Sequence, residues 1–171
     1  PEMCRSITVA SAGAGSDSGD RERLVASWEA LSESMVTEGM GQFADNYAKG
    51  PERVQFLRKD PVGWAKFHAG LAAHSAQGSS LTFRGVQMTR PTIYQLQEKL
   101  RQIKIPTLVL IGDEDHPCVE PAIFMKQNIP SCGLAVFPQS GHTINLEEPE
   151  LYNRTVLDFL TAVEAGKWAG S

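Results

Sequence analysis

The stretch 105-IPTLVLIGDEDHPCVEPAIFMKQNIPSCGLAVFPQSGHTINLEEP-149 decides the fold of this chain. It opens with a continuous apolar run, Pro106 to Ile111, which stops at Gly112 before a polar turn. Such a run is typical of a strand that is buried on both faces of a parallel sheet. The pattern predicts a second strand from Gly133 to Phe137 and a short helix from Glu120 to Asn128 between the two strands.

A polar residue follows each of these two predicted strands. Asp115 lies in the acidic turn after the first strand, and His142 follows Ser140 and Gly141 after the second. A right-handed crossover through the helix brings the carboxyl ends of both strands to the same edge of the sheet. We therefore expect the side chains of Asp115 and His142 to face one crevice.

The turns GDED at 112–115 and SGHT at 140–143 resemble those that carry the acid and the histidine of the α/β-hydrolase superfamily. The acid precedes the histidine in that family, and the nucleophile lies upstream of both. Glu147 and Pro149 follow the histidine turn, as is common among family members. The resemblance implies that Asp115 is the acid and His142 the base of a nucleophile–histidine–acid triad, while Asp113 serves the turn. Considered alone, Asp115 or His142 would be interpreted as an ordinary turn residue.

Two other segments contain motifs that suggest the nucleophile of such a triad. The sequence GSDSG at 15–19 matches the elbow of family members with an aspartate nucleophile, but it follows the wrong strand and precedes a helix. We interpret it as a loop or helix cap. Its Asp17 is the alternative acid, because some family members place theirs after this strand. In the sequence HSAQG at 74–78, Ala73 stands two residues before the serine but Gln77 stands two after it, where an elbow requires a small residue, and the segment is predicted to be helical.

The acidic turn also contains residue types that bind transition metals. These residues are Asp113, Glu114, Asp115, His116 and Cys118. Their spacing matches neither an HExxH motif nor paired CxxC motifs, and neighbouring side chains in a turn point away from one another. We therefore predict no metal site and no cofactor.

Composition limits the classes of function. The chain has 171 residues, of which 42% are hydrophobic, and this is enough for one domain with a sizeable core. A net charge of -4 and the lack of a basic run argue against a nucleic-acid partner. No apolar run approaches the length of a membrane span. Cys4, Cys118 and Cys132 suggest neither a disulfide framework nor a CxxC pair, which favours a cytoplasmic location.

The residues before this stretch predict one strand and then a block of helices. The strand is ITVAS at 7–11. Helices are predicted after four caps, namely Asp20, Asp60, either Ser79 or Ser80, and Thr92. We assign 1–19 to a core strand and loop, 20–100 to a helical block, and 101–171 to the rest of the core. In the resemblance, the helical block corresponds to the cap that covers the active site and largely sets substrate choice.

The order of these elements corresponds to the second half of an α/β-hydrolase. We expect a partial α/β-hydrolase fold with parallel strands and a helical cap insertion, in which the amino-terminal half of the sheet is absent. The resemblance implies hydrolysis of a small ester-like substrate, with the nucleophile supplied by an upstream segment. Partners would be that upstream half or a second copy of the chain. The alternative is a catalytically inactive half-domain that acts as a binding or assembly module.

Overall fold

The computed structural model describes residues 3–13, 15–16 and 21–168. They fall into two compact units, which we call the sheet unit (Pro1–Ser16 with Thr92–Ser171) and the helical unit (Asp17–Pro91). In chain order, the strands and α-helices are β1 (Ile7–Ala10), α1 (Arg21–Thr37), α2 (Met40–Tyr47), α3 (Val54–Lys59), α4 (Pro61–Ala72), α5 (Ala76–Thr82), α6 (Gln97–Arg101), β2 (Thr107–Gly112), α7 (His116–Asn128), β3 (Cys132–Phe137), α8 (Ile144–Glu147) and α9 (Pro149–Glu164). A π-helical turn at Phe83–Gln87 and a 3-10 turn at Tyr94–Leu96 complete the described helices.

The sheet unit contains three parallel strands in the order β1-β2-β3. Thr107 of β2 lies opposite both Ile7 of β1 and Cys132 of β3, so all three strands run in register toward the same edge. Every residue of β2 is buried, as its continuous apolar sequence predicted. The predicted strands are confirmed to within one residue at either end of β2 and β3. The predicted α/β class is confirmed as well.

Alternate residues of β2 pack into two separate apolar layers. Val109 and Ile111 belong to the layer that contains Cys118 and other buried residues of α7. Leu108 and Leu110 belong to the layer that contains Phe159 of α9. Burial of such a side chain contributes about 1.5–3 kcal/mol. Helices on both faces therefore hold the strand whose end carries the acidic turn.

The helix between β2 and β3 begins earlier than the sequence predicted. It starts at His116 rather than Glu120, because Pro117 occupies the first turn, where a residue without an amide hydrogen is well tolerated. Pro121 then lies inside the helix at the cost of one backbone hydrogen bond. The earlier start places Cys118 within the first turn, beside the acidic turn of β2.

The helical unit contains no strand among its described residues. The predicted cap Asp60 is confirmed, since its Oδ1 accepts a hydrogen bond from Gly63 N at 2.9 Å. The predicted cap at Ser79 or Ser80 is wrong. Ser75 caps α5 by accepting from Gly78 N at 3.1 Å, and Ser80 is fully buried.

The remaining predicted caps differ in outcome. The Thr92 hydroxyl accepts a hydrogen bond from Gln95 N at 3.3 Å, and the Gln95 side chain accepts one from Thr92 N at 2.9 Å. This reciprocal pair is a capping box, which confirms Thr92. Asp20 lies outside the described residues. None of the described helices combines the length and the apolar character that crossing a membrane requires.

Candidate active site

Asp115 and His142 form a hydrogen-bonded pair at the carboxyl edge of the sheet. The distance between Asp115 Oδ2 and His142 Nδ1 is 2.8 Å. The Asp115 side chain is 1% exposed, whereas that of His142 is 28% exposed. An ionised carboxylate can only accept hydrogen bonds, so Nδ1 carries the proton and donates it. This tautomer leaves a lone pair on Nε2 of His142, as a general base requires.

The backbones of the two turns are tied directly to one another. Asp113 N donates to Phe137 O at 3.0 Å, and Glu114 N donates to Ser140 O at 2.9 Å. In return, Ser140 N donates to Asp113 Oδ1 at 3.2 Å. The side chain of Asp113 therefore serves the turn, while that of Asp115 reaches the imidazole. We call these three hydrogen bonds the turn ties.

Gly112 makes this close approach possible. A Cβ atom at this position would lie 2.6 Å from the carbonyl carbon of Ser140 and would overlap the Ser140 carbonyl oxygen. Real Cβ atoms do not approach backbone atoms so closely. Glycine is therefore required here because another backbone packs against it, and not because of an unusual backbone angle.

The carboxylate of Glu147 holds the backbone on both sides of His142. Its Oε2 accepts from Gly141 N at 2.7 Å, and its Oε1 accepts from Thr143 N at 3.0 Å and from the Thr143 hydroxyl at 2.9 Å. Glu147 is only 5% exposed. The sequence indicated that Glu147 follows the histidine turn, but it did not predict that this carboxylate would be buried beneath that turn.

Cys118 adds a third polar group to the pair. Its Sγ lies 4.0 Å from His142 Nδ1, and its side chain is fully buried. One ligand atom from each of Asp115, Cys118 and His142 lies within 4.8 Å of the other two. The sequence did not reveal this cluster. Cys118 lies beside Asp115 only because α7 begins at His116, and His142 lies 24 positions after Cys118 in the chain. Asp113, Glu114 and His116, which the sequence placed beside Asp115 and Cys118, do not belong to it.

The other sequence candidates lie elsewhere or have structural roles. Asp17, the alternative acid, lies outside the described residues together with most of the GSDSG segment. Ser16 of that segment accepts a hydrogen bond from Ile93 N at 3.0 Å. Ser75, the serine of HSAQG, caps α5 and therefore serves the helix.

The helical unit has a cavity of its own, with a volume of about 470 Å³. Apolar and aromatic side chains of α1, α2 and the π-helical turn form much of its wall, including Met35, Met40, Phe43, Tyr47 and Phe83. Its size and apolar wall are typical of a small-molecule site. We call this space the helical-unit cavity.

Sequence comparison identifies hydrolases among the relatives of this chain, although no family model matches it. It is 28% identical over 71 residues to monoacylglycerol lipase ABHD6 of Homo sapiens, a match that covers 41% of this chain and 21% of the lipase. It is 34% identical over 68 residues to 2-hydroxy-6-oxo-6-phenylhexa-2,4-dienoate hydrolase of Burkholderia cepacia, which covers 39% of this chain and 24% of that enzyme.

Solved structures match nearly the whole chain. MenH from S. aureus superposes with a TM-score of 0.85 at 20% identity, covering 94% of this chain and 60% of MenH. MGS-M2, an alpha/beta hydrolase enzyme from a Medee basin deep-sea metagenome library, superposes with a TM-score of 0.69 at 16% identity, covering 94% of this chain and 57% of that one. These matches all point to the α/β-hydrolase superfamily, and the chain has a partial α/β-hydrolase fold. The chain spans less than two thirds of the length of each of these proteins.

Proposed function

We propose that this α/β-hydrolase chain provides the acid and the histidine of an ester-hydrolysing triad. The observation that carries the proposal is the 2.8 Å hydrogen bond from His142 Nδ1 to Asp115 Oδ2, between residues that follow neighbouring parallel strands. The hydrolase relatives support the same reaction class. The buried carboxylate fixes the imidazole tautomer, and the half-buried imidazole keeps Nε2 as the base.

The proposed reaction is acyl transfer to a nucleophile that belongs to a polypeptide segment outside these 171 residues. Nε2 of His142 takes the proton of that nucleophile as its oxygen or sulfur attacks the ester carbonyl. The resulting imidazolium donates a proton to the departing alcohol oxygen. Asp115 stabilises the imidazolium through Nδ1–H without itself becoming protonated. Water then attacks the acyl intermediate, with His142 again taking a proton and returning it to the nucleophile, and the carboxylic acid is released.

An aspartate nucleophile would use the same pair differently. The first step would form a covalent ester between that aspartate and the substrate, and His142 would then activate the water that hydrolyses it. The chemistry of the pair is compatible with both reactions, so the identity of the nucleophile distinguishes them. In either reaction the chain needs no cofactor.

We propose further that the helical unit acts as the cap of the hydrolase and selects among small ester substrates. The size and apolar wall of the helical-unit cavity support this role, because they suit an apolar substrate group better than a charged one.

The test joins this chain to the upstream half of the same hydrolase and measures ester hydrolysis. His142→Ala should lower turnover by several orders of magnitude. Asp115→Asn should be similarly severe because the amide favours the wrong tautomer; in a serine protease the same change lowers kcat about 10⁴-fold. Asp113→Asn is the matched control, since its remaining Oδ1 still accepts the hydrogen bond from Ser140 N.

Three outcomes would contradict parts of this proposal. Full activity of His142→Ala would exclude the triad. Loss of activity in Asp113→Asn, with Asp115→Asn near wild type, would reassign the acid. A joined protein that is folded but inactive on all esters would favour the alternative function, an inactive binding or assembly module.

A further inference from the structure

We infer that Asp115, Cys118 and His142 form an inhibitory binding site for divalent zinc. Only the inhibitory effect of zinc rests on the proposed function. Zinc binding itself can be measured without any catalysis. A carboxylate, a thiolate and an imidazole are all ligands that zinc accepts, and three protein ligands with one open position are common at accessible zinc sites.

The geometry of the cluster is close to what zinc requires. Tetrahedral coordination with ordinary zinc bond lengths places the O, N and S ligand atoms about 3.3–3.6 Å apart. Here the O–N distance is 2.8 Å, the S–N distance is 4.0 Å, and all three atoms lie within 4.8 Å of one another. Each atom would have to move by about an ångström or less, on this bond-length basis.

A second, independent observation points to a ligand at this position. Asp115 is 1% exposed, yet its Oδ1 has no hydrogen-bond partner among the described residues. Leaving a buried carboxylate oxygen unsatisfied is costly, and a cation beside Oδ1 would remove that cost. The 28% exposure of the His142 side chain provides a route by which the ion can enter.

The charges of the cluster also suit a divalent ion. Ionised Asp115 and the thiolate of Cys118 together offset the two positive charges of zinc, while His142 binds as a neutral ligand. A buried site with no net charge avoids most of the penalty for placing an isolated ion in the protein interior.

Zinc at this site would remove the general base. Bond formation between Nδ1 and zinc requires Nδ1 to lose its proton, so the neutral imidazole carries its proton on Nε2 instead. The Cys118 thiol releases one proton to solvent when its sulfur binds the metal. Nε2 of His142 can then no longer accept a proton from a nucleophile, and Asp115 is engaged by the metal. The inhibition would be reversed by a chelator.

The primary test is metal binding by the 171-residue chain. Zinc is titrated in competition with a chromophoric chelator, and cobalt(II) is added separately to detect a thiolate-to-cobalt charge-transfer band. We expect one zinc per chain and a band that disappears in Cys118→Ser and Cys118→Ala. Each change should weaken zinc binding at least about tenfold, because loss of even an outer-shell partner of a metal site costs 10–100-fold.

Cys132→Ser and Cys4→Ser are the matched controls. Cys132 is buried in the same apolar layer, and Cys4 is exposed. Both variants should keep the cobalt band and the zinc affinity of the wild type. The inference fails if the wild type binds no zinc, if Cys118→Ser binds zinc as the wild type does, or if a control variant loses the band.

The second test measures inhibition in the chain joined to its upstream half. Micromolar zinc should lower ester hydrolysis by the wild type, whereas Cys118→Ser, compared with its own rate without zinc, should resist zinc. Equal inhibition of both proteins would overturn the inhibitory role even if the binding test succeeds. If the joined protein has no esterase activity, the proposed function fails, whereas the binding test still decides the zinc site.

Discussion

Removal of the Glu147 carboxylate should loosen the turn that carries His142. The carboxylate accepts three hydrogen bonds in a buried position, from Gly141 N and from the amide and hydroxyl of Thr143. In Glu147→Gln, the new NH₂ group cannot accept, so at least one of these buried donors loses its partner. A buried donor left unsatisfied costs about 1–3 kcal/mol. Glu147→Ala removes all three hydrogen bonds and should cost about 3 kcal/mol or more.

Urea unfolding followed by circular dichroism measures these losses, and hydrogen exchange locates them. The amides of Gly141 and Thr143 should exchange faster in Glu147→Gln than in the wild type. Glu150→Gln is the matched control, because Glu150 is exposed in the first turn of α9. The reasoning is refuted if Glu147→Gln is as stable as Glu150→Gln and both amides keep their wild-type protection.

Three further predictions test other parts of the molecule. Gly112→Ala should lower the free energy of unfolding by about 1–3 kcal/mol, whereas Gly70→Ala, in open space within α4, should raise it by up to about 1 kcal/mol in the same urea assay. Burial raises the pKa of the Cys132 thiol, so iodoacetamide followed by mass spectrometry should label exposed Cys4 first and Cys132 only above the usual thiol pH range. In the joined hydrolase, Phe83→Ala should widen the helical-unit cavity and raise the rate on bulky esters relative to short ones; an unchanged ratio would contradict the cap role.

The sequence predicted the parts of the fold that depend on local patterns. The apolar run of β2 and the turn residues after β2 and β3 sufficed to predict two neighbouring parallel strands. The position of Asp115 beside His142 followed, because parallel strands end at the same edge of a sheet. The spacing of the two turns was therefore enough to predict a contact between residues 27 positions apart.

The parts that the sequence did not predict depend on packing between elements. Ser75, Ser79 and Ser80 are chemically equivalent as caps. Only the packing of α5 against α1 shows that Ser80 is buried beside Ser32, where their hydroxyl oxygens lie 2.8 Å apart. Cys118 reaches His142 only because α7 begins at His116, which a sequence with two nearby prolines does not reveal. Such contacts arise from how helices pack rather than from residue preferences.

The turn ties have a consequence for how this region can vary between related proteins. Two of the three join main-chain atoms alone, and the third uses only the carboxylate of Asp113. The side chains of Glu114 and Gln139 take no part in these three hydrogen bonds, so the turn ties themselves do not depend on which side chain stands at either position. The two turns together thus form a cassette that protein engineers can transplant onto the ends of other neighbouring parallel strands, provided that Gly112 and Asp113 are transferred with it.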